Sequence, residues 1–169
     1  FAFGLGTLIG AHFGTRLALQ FAHAPMPPQL AFLLDNRLRQ LYRDPVKTID
    51  FVGVHRNEIV LDAGCGAGLL TFEAARRVGP NGCVYALDMQ ANMINAVARK
   101  AESRGAANVV TLLGWLQHMT LPTSSVDSVM MISVLAETID RGAILAEARR
   151  VLKPGGTLVV GEELPALRY

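Results

Sequence analysis

From residue 58 onward the apolar positions fall into two alternating patterns. Short, weakly charged runs at 59–62, 84–88, 109–113, 126–133 and 157–161 read as strands of a buried sheet. Stretches at 69–78, 91–104 and 142–152 read as helices. Strand and helix in alternation is the pattern of an α/β domain, because parallel strands need crossovers that return the chain to the same edge. Five strands predict an open, doubly wound, mostly parallel sheet, since a barrel needs eight units and more chain. Right-handed crossovers and a switch beside the first strand predict the order 3-2-1-4-5.

Before residue 58 the pattern changes. Residues 1–14 carry no formal charge, and the apolar character continues to about residue 22. Gly6, Gly10 and Gly14 recur every four residues, a smooth stripe along which another helix can approach, while His12, Arg16 and Gln20 line roughly the opposite side. Residues 1–24 therefore read either as a helix that leaves the domain for lipid or an apolar partner helix, or as a buried N-terminal helix. Prolines at 25, 27 and 28 set a linker after them. Within the linker unit, 25–57, Leu30, Leu33, Leu34, Leu38 and Leu41 give an amphipathic helix. Asp44-Pro45 then predicts a capped start to a second short helix running to about Val52. The α/β domain is expected over 58–169. The chain opens on Phe1 rather than Met, so its biological start is expected to lie elsewhere.

Composition narrows the class without naming a chemistry. The chain has 169 residues, 51% of them hydrophobic, enough for one domain with a core and an appendage. Its 16 Lys and Arg against 14 Asp and Glu give a formal charge of +2, scattered rather than clustered, which offers nucleic acid no basic patch. Cys65 and Cys83 have neither zinc spacing nor disulfide density, so reduced thiols and a cytoplasmic globular part are expected.

The chemistry concentrates after the first strand. Asp62, Gly64, Cys65, Gly66 and Gly68 lie on a strand end and the glycine-rich turn that opens the next helix, where backbone N–H groups can meet a ligand. The second strand ends in Asp88, 20 residues after Gly68, at the position where a carboxylate takes both hydroxyls of a ribose. Asp88 also reads as a helix N-cap, and the two roles are compatible. Cys65 reads as a small packed residue, and His55 and His118 are lone histidines without a visible partner. Glu137 reads more simply as a helix-start acid than as a pocket residue.

The ordered segments VLDAGCGAG, GCVYALDMQANMINAVARKA, LPTSSVDSVMMISVL and ILAEARRVLKPGGTLVV resemble the successive motifs of class I S-adenosylmethionine-dependent methyltransferases, most closely the ubiquinone and menaquinone methylase-like group. The resemblance spans about residues 58–161 and implies a Rossmann-like fold, S-adenosylmethionine as cofactor and S-adenosylhomocysteine as product. It implies that Asp62 orients the loop and approaches the methionine amino group, and that Gly64, Cys65 and Gly66 run along the methionine and ribose. Asp88 would hold the ribose, with Met89 beside the adenine. Ser133, Val134 and Leu135 would line the cofactor and the methyl path. Asp127 and the turn Lys153-Pro154-Gly155-Gly156 would be structural. Where relatives commonly place an acid after the third strand, this chain has Gly114-Trp115-Leu116. An indole stacks on adenine but accepts no hydrogen bond from its amino group, and Trp115 reads equally as a core or interface aromatic.

Relatives also continue past the fifth strand with a helix and two strands that cover its edge. Here a partner at that edge, or further chain, is expected. Two functions are expected: methyl transfer to a small acceptor, a lipophilic one where it is met near a membrane, or a non-catalytic methyltransferase-fold subunit anchored in a membrane assembly.

Overall fold

The computed structural model describes residues 44–162. The segments expected over 1–24 and 25–43 lie outside the described residues, as does the chain after 162. Among the described residues no helix is long and apolar enough to cross a membrane.

Helix α1 (Pro45–Val52) starts as its sequence dictates: Asp44 accepts the Val46 and Lys47 N–H groups at 2.9 and 3.4 Å, and Pro45 occupies the first turn. Gly53, at φ 76°, ends it in the left-handed region. Strand β1 (Ile59–Ala63), α2 (Thr71–Val78), β2 (Cys83–Asp88), α3 (Ala91–Arg104) and β3 (Val109–Leu113) follow. Strand β4 (Val126–Ile132), a single 3-10 turn (Leu135–Glu137), α4 (Arg141–Val151) and β5 (Leu152–Gly161) complete the order.

All five strands are parallel in the order β3-β2-β1-β4-β5, which puts β3 and β5 at the edges as the crossover rule requires. Alternation along the strands fills two cores. Val60, Val84 and Met130 pack under α1 and α2 on one face, and Leu61, Leu87, Val129 and Met131 pack under α4 on the other. Ile49, Val52 and Val54 belong to the first core, so α1 is part of the packed unit although it precedes the expected domain start.

Three local differences from the sequence expectation have physical causes. Helix α2 begins at Thr71 rather than 69, because residues 67–70 turn out of the glycine loop before the chain becomes helical. Ser133 lies just past β4, not in it: its φ of 62° breaks the extended run. Strand β5 starts at Leu152, paired to Val126, with residues 153–156 bulged out before Thr157 pairs with Ser128. The Lys153–Gly156 segment is thus a bulge within the edge strand, with Gly155 at φ 80° taking the bend.

Candidate functional site

In a parallel sheet every strand delivers its last residue to the same edge, and crossovers there leave room between the loops. Each sequence-selected site residue lies on that edge. Asp62 lies near the end of β1 and Gly64 to Gly68 follow it, Asp88 ends β2 and Met89 follows it, Trp115 and Leu116 follow β3, and Ser133 follows β4. His55 lies at the opposite edge, ahead of β1.

The loop after β1 is tied to β2 by its backbone. Gly64 and Cys65 donate N–H groups to the Leu87 carbonyl at 2.8 and 3.0 Å, and Gly68 donates to the Cys65 carbonyl at 3.0 Å. Gly64 needs to be glycine twice over: φ is 80°, and a β-carbon there would come within 2.6 Å of Val134 Cγ2. At Gly66, φ 52°, the same addition would meet nothing within 4 Å, so the loop's outer side is open. Below the loop, Asp62 is only 4% exposed and accepts the Thr71 hydroxyl at 2.6 Å. That contact braces the loop onto α2.

Asp88 joins the two strand ends. Its Oδ2 accepts the Gly66 N–H and its Oδ1 the Gln90 N–H, both at 2.9 Å. Burial raises its pKa above the ordinary carboxylate value, against the opposing pull of N–H groups from Gln90, Gly66 and Met89. The N-cap position of α3 falls on Gln90, with no side-chain cap bond, so the helix-cap expectation for Asp88 is not met: its bond goes to the N–H of the residue before the helix, and it stands as a partly desolvated carboxylate at the mouth of the loop. Cys65 is buried, and burial, then the charges of Asp62 and Asp88, push its thiol well above the ordinary value. A thiol kept protonated in this way is a packed residue, not a nucleophile.

The remaining residues give the site an apolar flank. Trp115 is 59% exposed, which removes the core reading, and Leu113 and Met89 are exposed on the same edge. Gly114 donates to the Asp88 carbonyl at 3.0 Å, so Trp115 starts next to the carboxylate strand. Leu116 and Val134 pack partly on the core beneath α4. Ser133 is buried and donates its N–H to Gly161 at 2.6 Å. Its left-handed backbone turns the chain so that Val134 presses on Gly64.

Sequence reasoning missed three supports: Thr71 on Asp62, Val134 under Gly64, and Lys100, whose Nζ donates to the Ala67 carbonyl at 2.8 Å. Thr71 was the most findable, as a hydroxyl in the first turn of the helix that the glycine loop opens. Nothing in the local pattern pairs Lys100 with a carbonyl 33 residues away.

A five-stranded 3-2-1-4-5 sheet with a glycine loop after β1 and an acid ending β2 defines the Rossmann-like class that comprises class I S-adenosylmethionine-dependent methyltransferases. The chain belongs to the methyltransferase domain family, whose match covers residues 54–165. It is 34% identical to nocamycin O-methyltransferase of Saccharothrix syringae, over 70% of this chain and 42% of that protein. With demethylmenaquinone methyltransferase of Geobacillus stearothermophilus the identity is 35%, over 64% of this chain and 46% of the relative. A solved SAM-dependent methyltransferase from Aquifex aeolicus superposes with a TM-score of 0.77 at 32% identity, over 80% of this chain and 72% of that one. The chain spans less than half the length of these two curated relatives.

Proposed function

We propose that this chain binds S-adenosylmethionine on the 64–68 loop and transfers its methyl group to a small, lipophilic acceptor. The observation that carries the reading is Asp88, a desolvated carboxylate pinned by Gly66 and Gln90 at the open side of a glycine loop. The residues fit a nucleoside: a carboxylate with acceptor capacity left for ribose hydroxyls, glycine backbone that admits close approach, and an exposed indole for a base.

When bound, the cofactor supplies a methyl group on a sulfonium, already an activated leaving group. The chain's share is alignment and exclusion of water. In this reading Gly64, Cys65, Gly66 and Gly68 present backbone to the ligand, and Asp62 orients their loop through Thr71. Asp88 holds the ribose, Met89 and Trp115 hold the base, and Leu116, Ser133 and Val134 line the methyl path. A lipophilic acceptor is supported by Ile139, 83% exposed just beyond the 3-10 turn, and by the quinone precursor in the name of one relative.

The test is to incubate the chain with S-adenosylmethionine and a panel of quinols, phenols and amines, then read methyl gain by mass spectrometry. Methylation of apolar quinols or phenols, lost in Asp88→Ala, is the expected result. Cofactor binding without transfer to any acceptor would instead favour a non-catalytic scaffold.

Docking of residues 1–22 to lipid or to an apolar helix belongs to the same proposal and rests on the Gly6, Gly10, Gly14 stripe. A chain lacking residues 1–24 should stay folded and gain solubility. Unfolding on that deletion would make the segment part of the core.

A further inference from the structure

The β3-to-β4 crossover, residues 114–125, contains no helix or strand and is longer than the roughly 4–6 residues typical of connections in a compact domain. It is nevertheless firmly held at one end. Arg150, near the end of α4, donates from Nη2 to the Met119 carbonyl at 2.8 Å and from Nη1 to the Leu121 carbonyl at 2.9 Å, with Thr123 Oγ1 at 3.5 Å. The same guanidinium grips Glu147 through Nε to Oε1 at 2.6 Å and Nη2 to Oε2 at 2.8 Å. Glu147 Oε2 in turn accepts the Met119 N–H at 2.8 Å. One arginine and one carboxylate thus satisfy both backbone groups of Met119, and Ser124 and Ser125 donate to the Arg150 and Val151 carbonyls at 2.9 and 2.8 Å.

The other end of this loop is the base flank of the site. Gly114 is bonded to Asp88, and His118 donates its N–H to the Trp115 carbonyl at 3.1 Å, so one turn separates Trp115 from clamped Met119. Trp115 is exposed and Leu116 rests on the core under α4, so little but this turn orients the indole. The Arg76–Glu73 pair on α2 has the same i,i+3 spacing, and its guanidinium makes no comparable grip on a loop. The distinguishing feature of Arg150 is its fork to loop carbonyls, which a lysine cannot reproduce.

We propose that Arg150 and Glu147 are positioning residues for the nucleobase end of the site, holding the 114–125 loop so that Trp115 stands ready over the base. The inference rests on the proposed role of Trp115. Its consequence is preorganisation: with the loop released, ligand binding must order it and weakens accordingly.

Trp115 is the only tryptophan of the chain, so its emission reports the loop directly. The experiment titrates S-adenosylhomocysteine into the wild type, Trp115→Ala, Arg150→Met, Arg150→Lys, Glu147→Gln and the double variant Trp115→Ala/Arg150→Met, with calorimetry for affinity. Emission and its anisotropy are followed in the chains that keep Trp115. Lys153→Met is the control, because it removes the Lys153–Asp127 pair without touching the loop.

Both Arg150 variants should weaken binding by about five- to tenfold and lower the anisotropy of Trp115, and Glu147→Gln should do so less. Lys153→Met should lower the melting temperature and leave affinity and anisotropy unchanged. Adding Arg150→Met to Trp115→Ala should cost little further affinity, because both act through the indole. If Arg150→Met does not fold, Arg150→Lys carries the test with the same expectation. Wild-type affinity and anisotropy in folded Arg150 variants, with Trp115→Ala weakened, would overturn the clamp alone. Wild-type affinity in Trp115→Ala would overturn the base-binding reading and the clamp's role with it.

Discussion

Two aspartates at strand ends, Asp88 and Asp127, have opposite environments. Asp127 starts the β4 side of the sheet's N-terminal edge, where its Oδ2 accepts the Ile59 N–H at 2.8 Å and its Oδ1 the Lys153 ammonium at 2.7 Å. Burial pushes its pKa up, but the Lys153 and Ile59 bonds outweigh burial and leave it lowered. Asp88, at the opposite edge, accepts backbone N–H groups from Gly66 and Gln90 and has a raised pKa. Asp127 is satisfied by the fold; Asp88 is held where its charge is costly. Carboxylates kept in that condition cluster at functional sites, and the contrast separates a binding edge from a stability edge.

The largest effect should come from the loop that Asp88 holds. Gly64→Val drives a branched side chain into Val134 at a left-handed φ and should abolish cofactor binding, with a stability loss on the order of 2–5 kcal/mol, measured by denaturant unfolding. Asp88→Ala should weaken S-adenosylhomocysteine by about 1.5–3 kcal/mol, the range for a lost charge-assisted hydrogen bond. Trp115→Ala should cost about 0.5–1.5 kcal/mol of affinity with no loss of stability, since the indole is exposed.

Asp127→Ala should cost about 0.5–1.5 kcal/mol of stability and leave affinity unchanged, the reverse of the Asp88 result. The pH dependence sharpens the same contrast. A lowered folded pKa makes Asp127's contribution present above the ordinary carboxylate value and lost as pH falls through the lowered value. A raised folded pKa gives Asp88 the opposite sign: its contribution is present below the ordinary value and lost as pH rises through the raised one. Thermal melts at neutral pH should therefore show Asp88→Asn at or above the wild-type melting temperature and Asp127→Asn below it.

The sheet order and the site edge were legible because they depend on periodicity and on residues adjacent in sequence. Val60 to Gly68 and Asp88 each carry their own signal: a buried strand, a glycine turn, an acid at a strand end. The bulge at 153–156 was not legible, since a proline and two glycines announce a bend but not which strand absorbs it. Nor was the inward turn at Ser133, because nothing local marks a serine for a left-handed φ. The Arg150 clamp was invisible for a different reason. Its partners lie about 30 residues upstream, and a fork to backbone carbonyls leaves no residue-type signature at their end.

The central claim, that the Asp88 edge binds the cofactor and the Asp127 edge does not, is tested most directly by calorimetric titration of S-adenosylhomocysteine into three chains. Wild type and Asp127→Asn should bind one equivalent with equal affinity, and Asp88→Asn should bind at least about tenfold more weakly while remaining folded. Equal affinity in Asp88→Asn and wild type, or no binding by the wild type, would contradict the account.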